Sequence, residues 1–329
     1  MQTMHWSLLA AAALSVYSGL SVSQGAAANY PSKPVTVVLP TAPGSTSETE
    51  TRMYTLKLTQ SLGQPFVHDY KPGAGQALGT AYVAKSAPDG YTICAISGGF
   101  NFVPAFYATN PPYDPVKDFA PISLMSKRST MFVVHPSLPV NTMEEYIAYA
   151  RAHPNAINYA TTGQGANYHL IGAWLHGQTN TKVTFIHYKG GGPLWVDMVA
   201  GRVNAAPSTF LMGLQFIKAG KLRPIANMGL ERSPLLPDLR TMEEQGFPGF
   251  EYPSWAGFVA PARTPPAVIA KLNAELVKAG RSPEVMQKIT EQGGTMVTSS
   301  PESFAKTIAI ESARWRKVVQ DNNLKMEEQ

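Results

Sequence analysis

The sequence predicts an α/β protein of two domains, and three observations lead to that prediction. The chain has 329 residues, more than one hydrophobic core usually organises. Apolar residues make up 44% of it and charged residues 15%, which excludes intrinsic disorder, because disordered chains combine low hydrophobicity with high charge. From residue 35 onward, short β-branched runs alternate with helical stretches, and this alternation is typical of a largely parallel sheet covered by helices.

The first 28 residues have the features of an export signal. An apolar stretch from Ser7 to Val22 is followed by the small residues Ala26-Ala27-Ala28, and the stretch is too short for a membrane anchor. Met1 to Trp6 contains no Lys or Arg, so the usual charged segment before the apolar stretch is missing. We nevertheless expect export, with cleavage after Ala28 leaving a soluble mature protein.

The elements follow in the order in which apolar runs and Gly or Pro breakers divide the chain. A helix ends where such breakers follow it, as at Gly63 and Pro65, and Asn141 or Thr142 is the predicted N-cap of the third helix. The predicted strands are Val35–Leu39, Phe66–Asp69, Tyr91–Ile96, Met131–Val134, Ile157–Ala160, Val183–Tyr188 and Val203–Ala206. The predicted helices are Thr49–Leu62, Gln76–Ser86, Met143–His153, Ala166–Gly177, Leu194–Ala200, Pro266–Ala279 and Pro301–Gln320.

The charge and cysteine content narrow the function. Lys and Arg number 27 against 22 Asp and Glu, which gives a net charge of +5 and a pI near 9.1. The basic residues are scattered, without the run that typifies nucleic-acid binding, so we expect an anionic small molecule as the partner and no nucleic acid. The single cysteine, Cys94, lies in a strand-like run, and we expect a buried structural thiol.

Three Gly-rich turns, Pro40–Glu48, Ser97–Asn101 and Thr161–His169, stand where a strand passes into a helix. Ligands of open α/β sheets bind beyond the carboxyl ends of the strands, where free N–H groups at helix N-termini offer donors and partial positive charge. Gly44 and Gly165 let a ligand approach the backbone, and neighbouring Ser and Thr hydroxyls add donors. This chemistry suits a carboxylate. The alternative is that each turn only caps its helix.

Motifs for metal, phosphate-loop and hydrolase chemistry are missing from the sequence. The seven histidines show no zinc-binding spacing, and no Gly-Lys-Ser/Thr or Gly-x-Ser-x-Gly segment occurs. We therefore expect no metal, no cofactor and no enzymatic activity. One alternative is an exported hydrolase with Ser45 or Ser97 as nucleophile and His169 as base. Another is an interaction module for a partner protein.

A series of ordered motifs runs along the chain after residue 28. They include Tyr30-Pro-Ser-Lys-Pro34, Lys71-Pro-Gly-Ala-Gly75, Ala87-Pro-Asp-Gly-Tyr91, Tyr159-Ala-x-x-Gly-x-Gly165 and Arg232-Ser-Pro-x-Leu-Pro-Asp238. From Tyr30 to about Leu324, the chain with these motifs resembles the Bug or TctC family, the exported receptors of tripartite tricarboxylate transporters.

The resemblance implies a periplasmic binding protein of the Venus-flytrap kind, in which two α/β domains joined by crossing strands enclose a small carboxylate. Residues 29–127 and 252–329 would form the first domain and residues 128–251 the second. Transporter subunits in the membrane would be the partners of a monomeric receptor. The implied ligand-binding residues are Thr41, Ala42, Gly44, Ser45, Thr46, Glu48, Ser97, Phe100, Thr161, Thr162, Gly165, Ala166, Asn167, Tyr168, His169 and Ser208.

Departures from the family pattern bear on the ligand. Ser208 stands where relatives often have an Asp, which argues against a ligand ammonium, and Trp174 replaces a common Glu. Phe100, Phe102 and Tyr168 put aromatic side chains beside the expected cleft, where many relatives have smaller residues. We therefore expect an aromatic or bulky carboxylate, with a terephthalate-like dicarboxylate as one case. The alternatives are that these rings pack within the domain and that the ligand is an aliphatic or amino-acid carboxylate.

Overall fold

The computed structural model describes residues 29–107, 110–252, 254–291 and 293–321. The predicted signal peptide lies outside these residues. The described elements form two separate β-sheets with helices between the strands, which confirms the α/β class and the two-domain architecture. Within the described ranges, no helix combines the length and apolarity that crossing a membrane requires.

Every predicted strand and helix has a counterpart, and the bounds differ by a few residues. The strands are β1 Val35–Leu39, β2 Phe66–Tyr70, β3 Thr92–Ser97, β4 Phe119–Arg128, β5 Thr130–Val134, β6 Asn158–Thr161, β7 Thr184–His187, β8 Ala205–Thr209, β9 Arg223–Asn227, β10 Ser254–Pro261 and β11 Gly294–Met296. The helices are α1 Thr46–Leu62, α2 Ala77–Ala84, α3 Gly99–Phe102, α4 Met143–Ala152, α5 Asn167–Gln178, α6 Gly191–Val199, α7 Phe210–Lys218, α8 Pro266–Gly280, α9 Pro283–Glu291 and α10 Pro301–Asp321.

The first domain is built on a six-stranded sheet with the order β11-β4-β10-β3-β1-β2. The pairs β1–β2 and β1–β3 are parallel, as the alternation of strands and helices predicts, whereas β10 runs antiparallel to both β3 and β4. The sheet is therefore mixed, and the prediction of a largely parallel sheet was wrong here, because three of its five strand pairs, β10–β3, β10–β4 and β11–β4, are antiparallel. Strands β1, β2 and β3 end at one edge because they run in the same direction.

The second domain is built on a five-stranded sheet with the order β7-β6-β8-β5-β9. Here β6 pairs in parallel with β7 and β8, while β5 runs antiparallel to β8 and β9. The parallel strands β6, β7 and β8 again end at one edge. Each domain thus presents three strand-to-helix loops at a single edge of its sheet.

The long strands β4 and β10 have no counterpart in the prediction. All but the first residue of β10 are buried, so its sequence lacks the alternation that marks a half-exposed strand. Gly257 in its middle lies so close to the ring of Phe304 that a methyl group there would come within 2.4 Å of it. Position 257 therefore requires glycine, because α10 packs closely against this strand.

Two segments carry the chain between the sheets. It leaves the first sheet at Arg128 and enters the second at Thr130, and it returns between Asn227 and Ser254. Ser254 pairs with Arg128, so the two crossings lie side by side. Of the domain boundaries given above, 251/252 falls within the second segment and 127/128 lies at the end of β4, next to the first. Both stay predictions.

An aromatic cluster joins the domains next to the crossings. Trp174 on α5 stacks on Phe250 with ring centroids 3.9 Å apart, and it meets Trp315 of α10 edge-on at 5.3 Å. Trp315 in turn contacts Phe102 of the first domain at 4.2 Å. Helix α10 therefore packs against both domains, and its aromatic face is buried between them.

Candidate ligand-binding cleft

The strand-to-helix loops of the two domains face each other. A methyl group on Gly75 would lie 2.5 Å from the carbonyl oxygen of Gly165, and one on Gly99 would lie 2.7 Å from Oδ1 of Asn167. Gly75 and Gly99 follow strands β2 and β3, whereas Gly165 and Asn167 follow β6. The loops are therefore in direct contact, and the structure represents a closed arrangement of the two domains.

The loop after β1 lies at the same sheet edge as the loops after β2 and β3, because β1 stands between these two strands. Ser45 is the N-cap of α1, and its hydroxyl oxygen accepts the backbone N–H of Glu48 at 3.2 Å. The Thr41 hydroxyl lies 3.0 Å from that of Ser45 and supports the cap. Ala42 and Gly44 are exposed at the tip of the loop. The predicted residues of this loop thus lie together at the N-terminus of α1.

Glu48, in the first turn of the helix that begins at Thr46, turns its carboxylate back onto its own loop. Oε2 accepts the Gly44 N–H at 2.6 Å, while Oε1 accepts the Tyr70 hydroxyl at 2.6 Å and Nη2 of Arg52 at 2.5 Å. The hydrogen bond from Tyr70, followed by those from Arg52 and Gly44, lowers the pKa of this carboxyl to about 2. Glu48 is therefore ionised at neutral pH, and both of its oxygens are engaged within the first domain.

The loop after β6 forms the opposite side of the cleft. The Thr161 hydroxyl is buried and lies 2.7 Å from Nδ1 of His187, so it holds the start of the loop. Gly163 and Gly165 have φ angles of 140° and 69°, which favour glycine. Ala166, the N-cap of α5, makes no side-chain hydrogen bond to the first turn. The free N–H groups of this helix N-terminus therefore remain donors for an acceptor outside the helix.

The first turn of α5 brings further predicted residues to the same place. Asn167 reaches Gly99 of the first domain, and its Oδ1 is buried without a hydrogen-bond partner among the described residues. The half-buried Tyr168 has its hydroxyl against the backbone of Thr209. Thr162 is half-buried in the loop before the helix. These positions agree with a role in the cleft.

His169 supports the second loop from within the domain. Its Nδ1 accepts the Gly165 N–H at 3.0 Å, and its ring packs edge-on against Phe185 and His187 with centroids 5.0 and 4.8 Å away. Burial, followed by the proximity of His187, lowers the pKa of His169 to about 4. The imidazole is therefore neutral at neutral pH, as Nδ1 must be to accept a hydrogen bond.

We expect the protein to lose stability as the pH falls from about 6.5 to about 4. Burial lowers the pKa of His169 and of His176, both on α5, from 6.5 to about 4. In this window the unfolded chain binds protons that the folded chain does not, so acid favours unfolding. The contribution is complete above pH 6.5 and is lost by about pH 4. Urea unfolding at about pH 7, 5.5 and 4 measures it.

A matched pair of variants isolates this contribution. His176→Gln removes a buried imidazole and is expected to reduce the dependence of the unfolding free energy on pH. His153→Gln changes an exposed histidine and should keep the wild-type dependence. Equal slopes for wild type and His176→Gln would contradict the assignment.

A third loop, residues 73–76 after β2, reaches the cleft and was absent from the predicted site. Its four residues have φ angles between 46° and 133°. Ala74 and Gln76 are not glycines, so they store backbone strain of the kind found at functional segments. Gln76 Oε1 accepts the hydroxyl of Ser97, a predicted site residue, at 3.0 Å. The only sequence signal for this loop was the motif Lys71-Pro-Gly-Ala-Gly75, which was interpreted as a family marker.

The structure corrects the expectation for two aromatic residues. The ring of Phe100 is 1% exposed and stacks on Tyr113, and Phe102 is fully buried against Trp315. Both rings belong to the hydrophobic core, because the short helix α3 packs against α10. They do not form aromatic surface in the cleft. Of the three aromatic residues named, Tyr168 is half-buried and packs against the cores of both domains.

The role expected for Ser208 stays a prediction. Its side chain is fully buried, and its hydroxyl donates to the carbonyl oxygen of Thr209 at 3.0 Å. A methyl group on Gly213 of α7 would lie 2.8 Å from this hydroxyl. The Ser208 hydroxyl thus lies between β8 and the first turns of α7.

The hydrolase alternative finds no support in the geometry. The Ser97 hydroxyl donates to Gln76, and the Ser45 hydroxyl serves as a helix cap. Across the described residues, neither serine is hydrogen-bonded to a histidine, and Nδ1 of His169 already accepts from Gly165. A nucleophilic serine needs a base within hydrogen-bond reach. In the same part of the chain, no group of three or more His, Cys, Asp or Glu is placed to hold a metal ion.

Two α/β domains with adjacent crossings, closed on strand-to-helix loops that offer backbone donors, define a periplasmic binding protein. Residues 51–324 match the family described as the tripartite tricarboxylate transporter family receptor. The chain belongs to this family, that of the TctC and Bug solute receptors. Its members bind small carboxylates and work with tripartite transporters.

Known proteins resemble the chain over nearly its whole length. BugT of Bordetella pertussis is 32% identical over 303 residues, which covers 90% of this chain and 91% of BugT. The structure of Rpa4515 from R. palustris with adipate is 30% identical, with a TM-score of 0.81, and the match covers 90% of this chain and 99% of that one. MatC from Rhodopseudomonas palustris with bound malate is 29% identical, with a TM-score of 0.81 and coverage of 88% and 100%.

Proposed function

We propose that this protein is an exported receptor that encloses a small dicarboxylate between its two domains and delivers it to a tripartite tricarboxylate-type transporter. Residues 1–28 serve as the cleaved signal peptide, and the domains move about the crossings at 127/128 and 251/252. The receptor acts as a monomer. It binds its ligand without chemical change, since specificity and closure are all that delivery requires.

The observation that carries the proposal is that two helix N-termini lie at the sheet edges where the loops of the two domains meet. Helix α5 begins in the loop that contacts the loops after β2 and β3, and α1 begins in the loop after β1, the strand that lies between those two in the sheet. Ala166 leaves α5 without a side-chain cap. Each N-terminus supplies free N–H groups and partial positive charge. A carboxylate between them accepts hydrogen bonds from both domains, and it therefore stabilises the closed arrangement over an open one.

The choice among dicarboxylates rests on the relatives and on Tyr168. Two related receptors of similar fold were solved with adipate and with malate, both of which carry two carboxylates. An aromatic ligand such as terephthalate is supported by the half-buried ring of Tyr168 alone, because Phe100 and Phe102 lie in the core. We therefore expect an aliphatic dicarboxylate as the ligand, and terephthalate is the aromatic acid to compare with it.

A thermal-unfolding screen tests the proposal. The full chain is expressed, the exported product is purified, and adipate, malate, glutamate and terephthalate are added separately. A ligand at 100 times its Kd should raise the unfolding free energy by about 2.7 kcal/mol. No shift with any of the four acids, or turnover of an ester or amide substrate, would contradict the receptor role.

Variants of Tyr168 separate the two ligand classes. Tyr168→Ala removes the ring and should weaken terephthalate binding selectively, whereas Tyr168→Phe, the matched control, keeps the ring. A ring contact contributes about 0.5–1.5 kcal/mol beyond buried area, so the expected loss is about threefold to tenfold in Kd. Equal losses for adipate and terephthalate in Tyr168→Ala would remove the aromatic case.

A further inference from the structure

The N-terminus of α1 is proposed to bind an anion, yet two acidic residues lie close to it. Glu48 and Glu50 lie in its first turns, five or fewer residues from the N-cap Ser45. At a rise of 1.5 Å per residue, Glu50 is about 7 Å along the helix axis from Ser45, and its side chain tilts toward the N-terminus. Two carboxylates at this place oppose the attraction of the helix N-terminus for an anionic ligand.

Neither carboxylate is free to bind a cationic group of a ligand. Both oxygens of Glu48 accept hydrogen bonds within the first domain, from Gly44, Tyr70 and Arg52. Glu50 is fully buried. The two acidic side chains therefore do not bind a ligand ammonium, and they must have a different role.

Each glutamate is paired with one arginine. Arg52 bonds to Glu48 from the next turn of the same helix, and its side chain is 56% exposed. Arg128 forms a direct ion pair with Glu50, and this pair is enclosed, because the side chain of Arg128 is only 8% exposed. Arg128 is the last residue of β4, where the chain leaves the first sheet. The buried guanidinium thus lies between the ligand loop of the first domain and the crossing.

Burial makes the second pair the more consequential of the two. Interactions between exposed charges are weakened by water and salt, whereas those within the protein are screened much less. An unpaired Glu50 carboxylate would therefore act strongly on a second anion at the N-terminus of the same helix. A buried ion pair is weak as a source of stability, since removing one partner is costly while replacing both is often neutral. The contribution of the Arg128–Glu50 pair therefore lies in the net charge near the proposed carboxylate site rather than in stability.

We propose that Arg128 is a positioning residue for anion capture: its guanidinium cancels the charge of Glu50 beneath the carboxylate site without touching the ligand. Arg52 does the same for Glu48 at the exposed side of the helix. The inference rests on the proposed carboxylate receptor and adds the residues that make the helix N-terminus competent for an anion. It predicts opposite effects for the two partners of each pair, which a merely structural ion pair would not produce.

The test compares Glu50→Gln, Arg128→Met and the double variant with the wild type. Each protein is produced as the full chain and purified after export, and adipate, malate and terephthalate are titrated by calorimetry. Arg128→Met is expected to raise the Kd of the bound acid about tenfold, because the Glu50 charge is left uncancelled. Glu50→Gln should leave the Kd unchanged or lower it. The double variant should lie within about threefold of the wild type.

A second pair keeps the test decisive if a buried variant fails to fold. Arg52→Gln and Glu48→Gln change a pair of which the Arg52 side chain is 56% exposed and the Glu48 side chain 12%. The amide oxygen that Glu48→Gln introduces can still accept the Gly44 N–H. Arg52→Gln should raise the Kd about threefold in dilute buffer, while Glu48→Gln should not raise it. Equal weakening by both partners of a pair, with wild-type binding intact, overturns the inference alone. Failure of the wild type to bind any of the three acids overturns the proposed function and this inference with it.

Discussion

Replacing Gly75 by alanine is expected to raise the Kd for the bound carboxylate at least about tenfold while the fold is retained. The added methyl group would lie 2.5 Å from the carbonyl oxygen of Gly165, a backbone atom that cannot move aside alone. The clash occurs only when the loops of the two domains meet. It therefore penalises the closed arrangement and spares an open one. Calorimetric titration of the acid identified in the thermal screen measures the effect.

Gly220→Ala is the matched control for this prediction. Gly220 has a φ of 68°, close to the 62° of Gly75, and a methyl group there would meet nothing within 4 Å. Both variants carry the left-handed backbone penalty of about 1 kcal/mol, so their unliganded stabilities should fall by similar amounts. Only Gly75→Ala should lose affinity. Wild-type affinity in Gly75→Ala would show that the loops do not close as described.

Trp174→Ala is expected to have the largest effect on stability, a loss of about 3–5 kcal/mol in the free energy of unfolding. Trp174 is 1% exposed and is held between Phe250 and Trp315. Its removal leaves a cavity where α10 meets the second domain, and the stacked and edge-on ring contacts are lost with it. Urea unfolding followed by circular dichroism gives the change in free energy.

Two variants serve as controls for the Trp174→Ala prediction. Trp174→Phe keeps an aromatic ring and should cost less than the alanine variant. Leu230→Ala changes a side chain that is 65% exposed and should stay within about 0.5 kcal/mol of the wild type. A loss below about 1 kcal/mol for Trp174→Ala would mean that α10 is not fastened to the second domain by these rings.

The ends of the helices could be predicted from the sequence because they depend on interactions between residues that are close together in the chain. Gly63, with a φ of 70°, ends α1 as predicted, and the Thr142 hydroxyl accepts the Glu145 N–H as the N-cap of α4. The two strand-to-helix loops proposed for the site were also predicted as loops, since a strand followed by Gly, Ser or Thr and then a helix is a pattern of neighbours in sequence. The bounds of individual elements moved by a few residues, as fraying helix ends allow.

Long-range packing decided the directions of side chains, and there the expectation of aromatic surface from Phe100 and Phe102 was wrong. The residues around Phe100 and Phe102 do not predict that their rings are covered by α10, a helix some two hundred residues later in the chain. Ser208 reads as a polar residue at a strand end, yet Gly213 of the following helix packs over its hydroxyl. The strained loop that contains Gln76 could not be distinguished from an ordinary turn, because its contact with the second domain lies across the cleft.

The sequence by itself determined the α/β class, the order of most elements, the family and the two helix N-termini proposed to hold a carboxylate. These properties follow from hydrophobic period, breakers and caps, which act over a few residues. The tertiary structure alone decided which loops meet, which rings are buried and which charges are paired. Arg128 and Glu50 are 78 positions apart in the printed sequence, and only the fold brings the guanidinium of one to the carboxylate of the other.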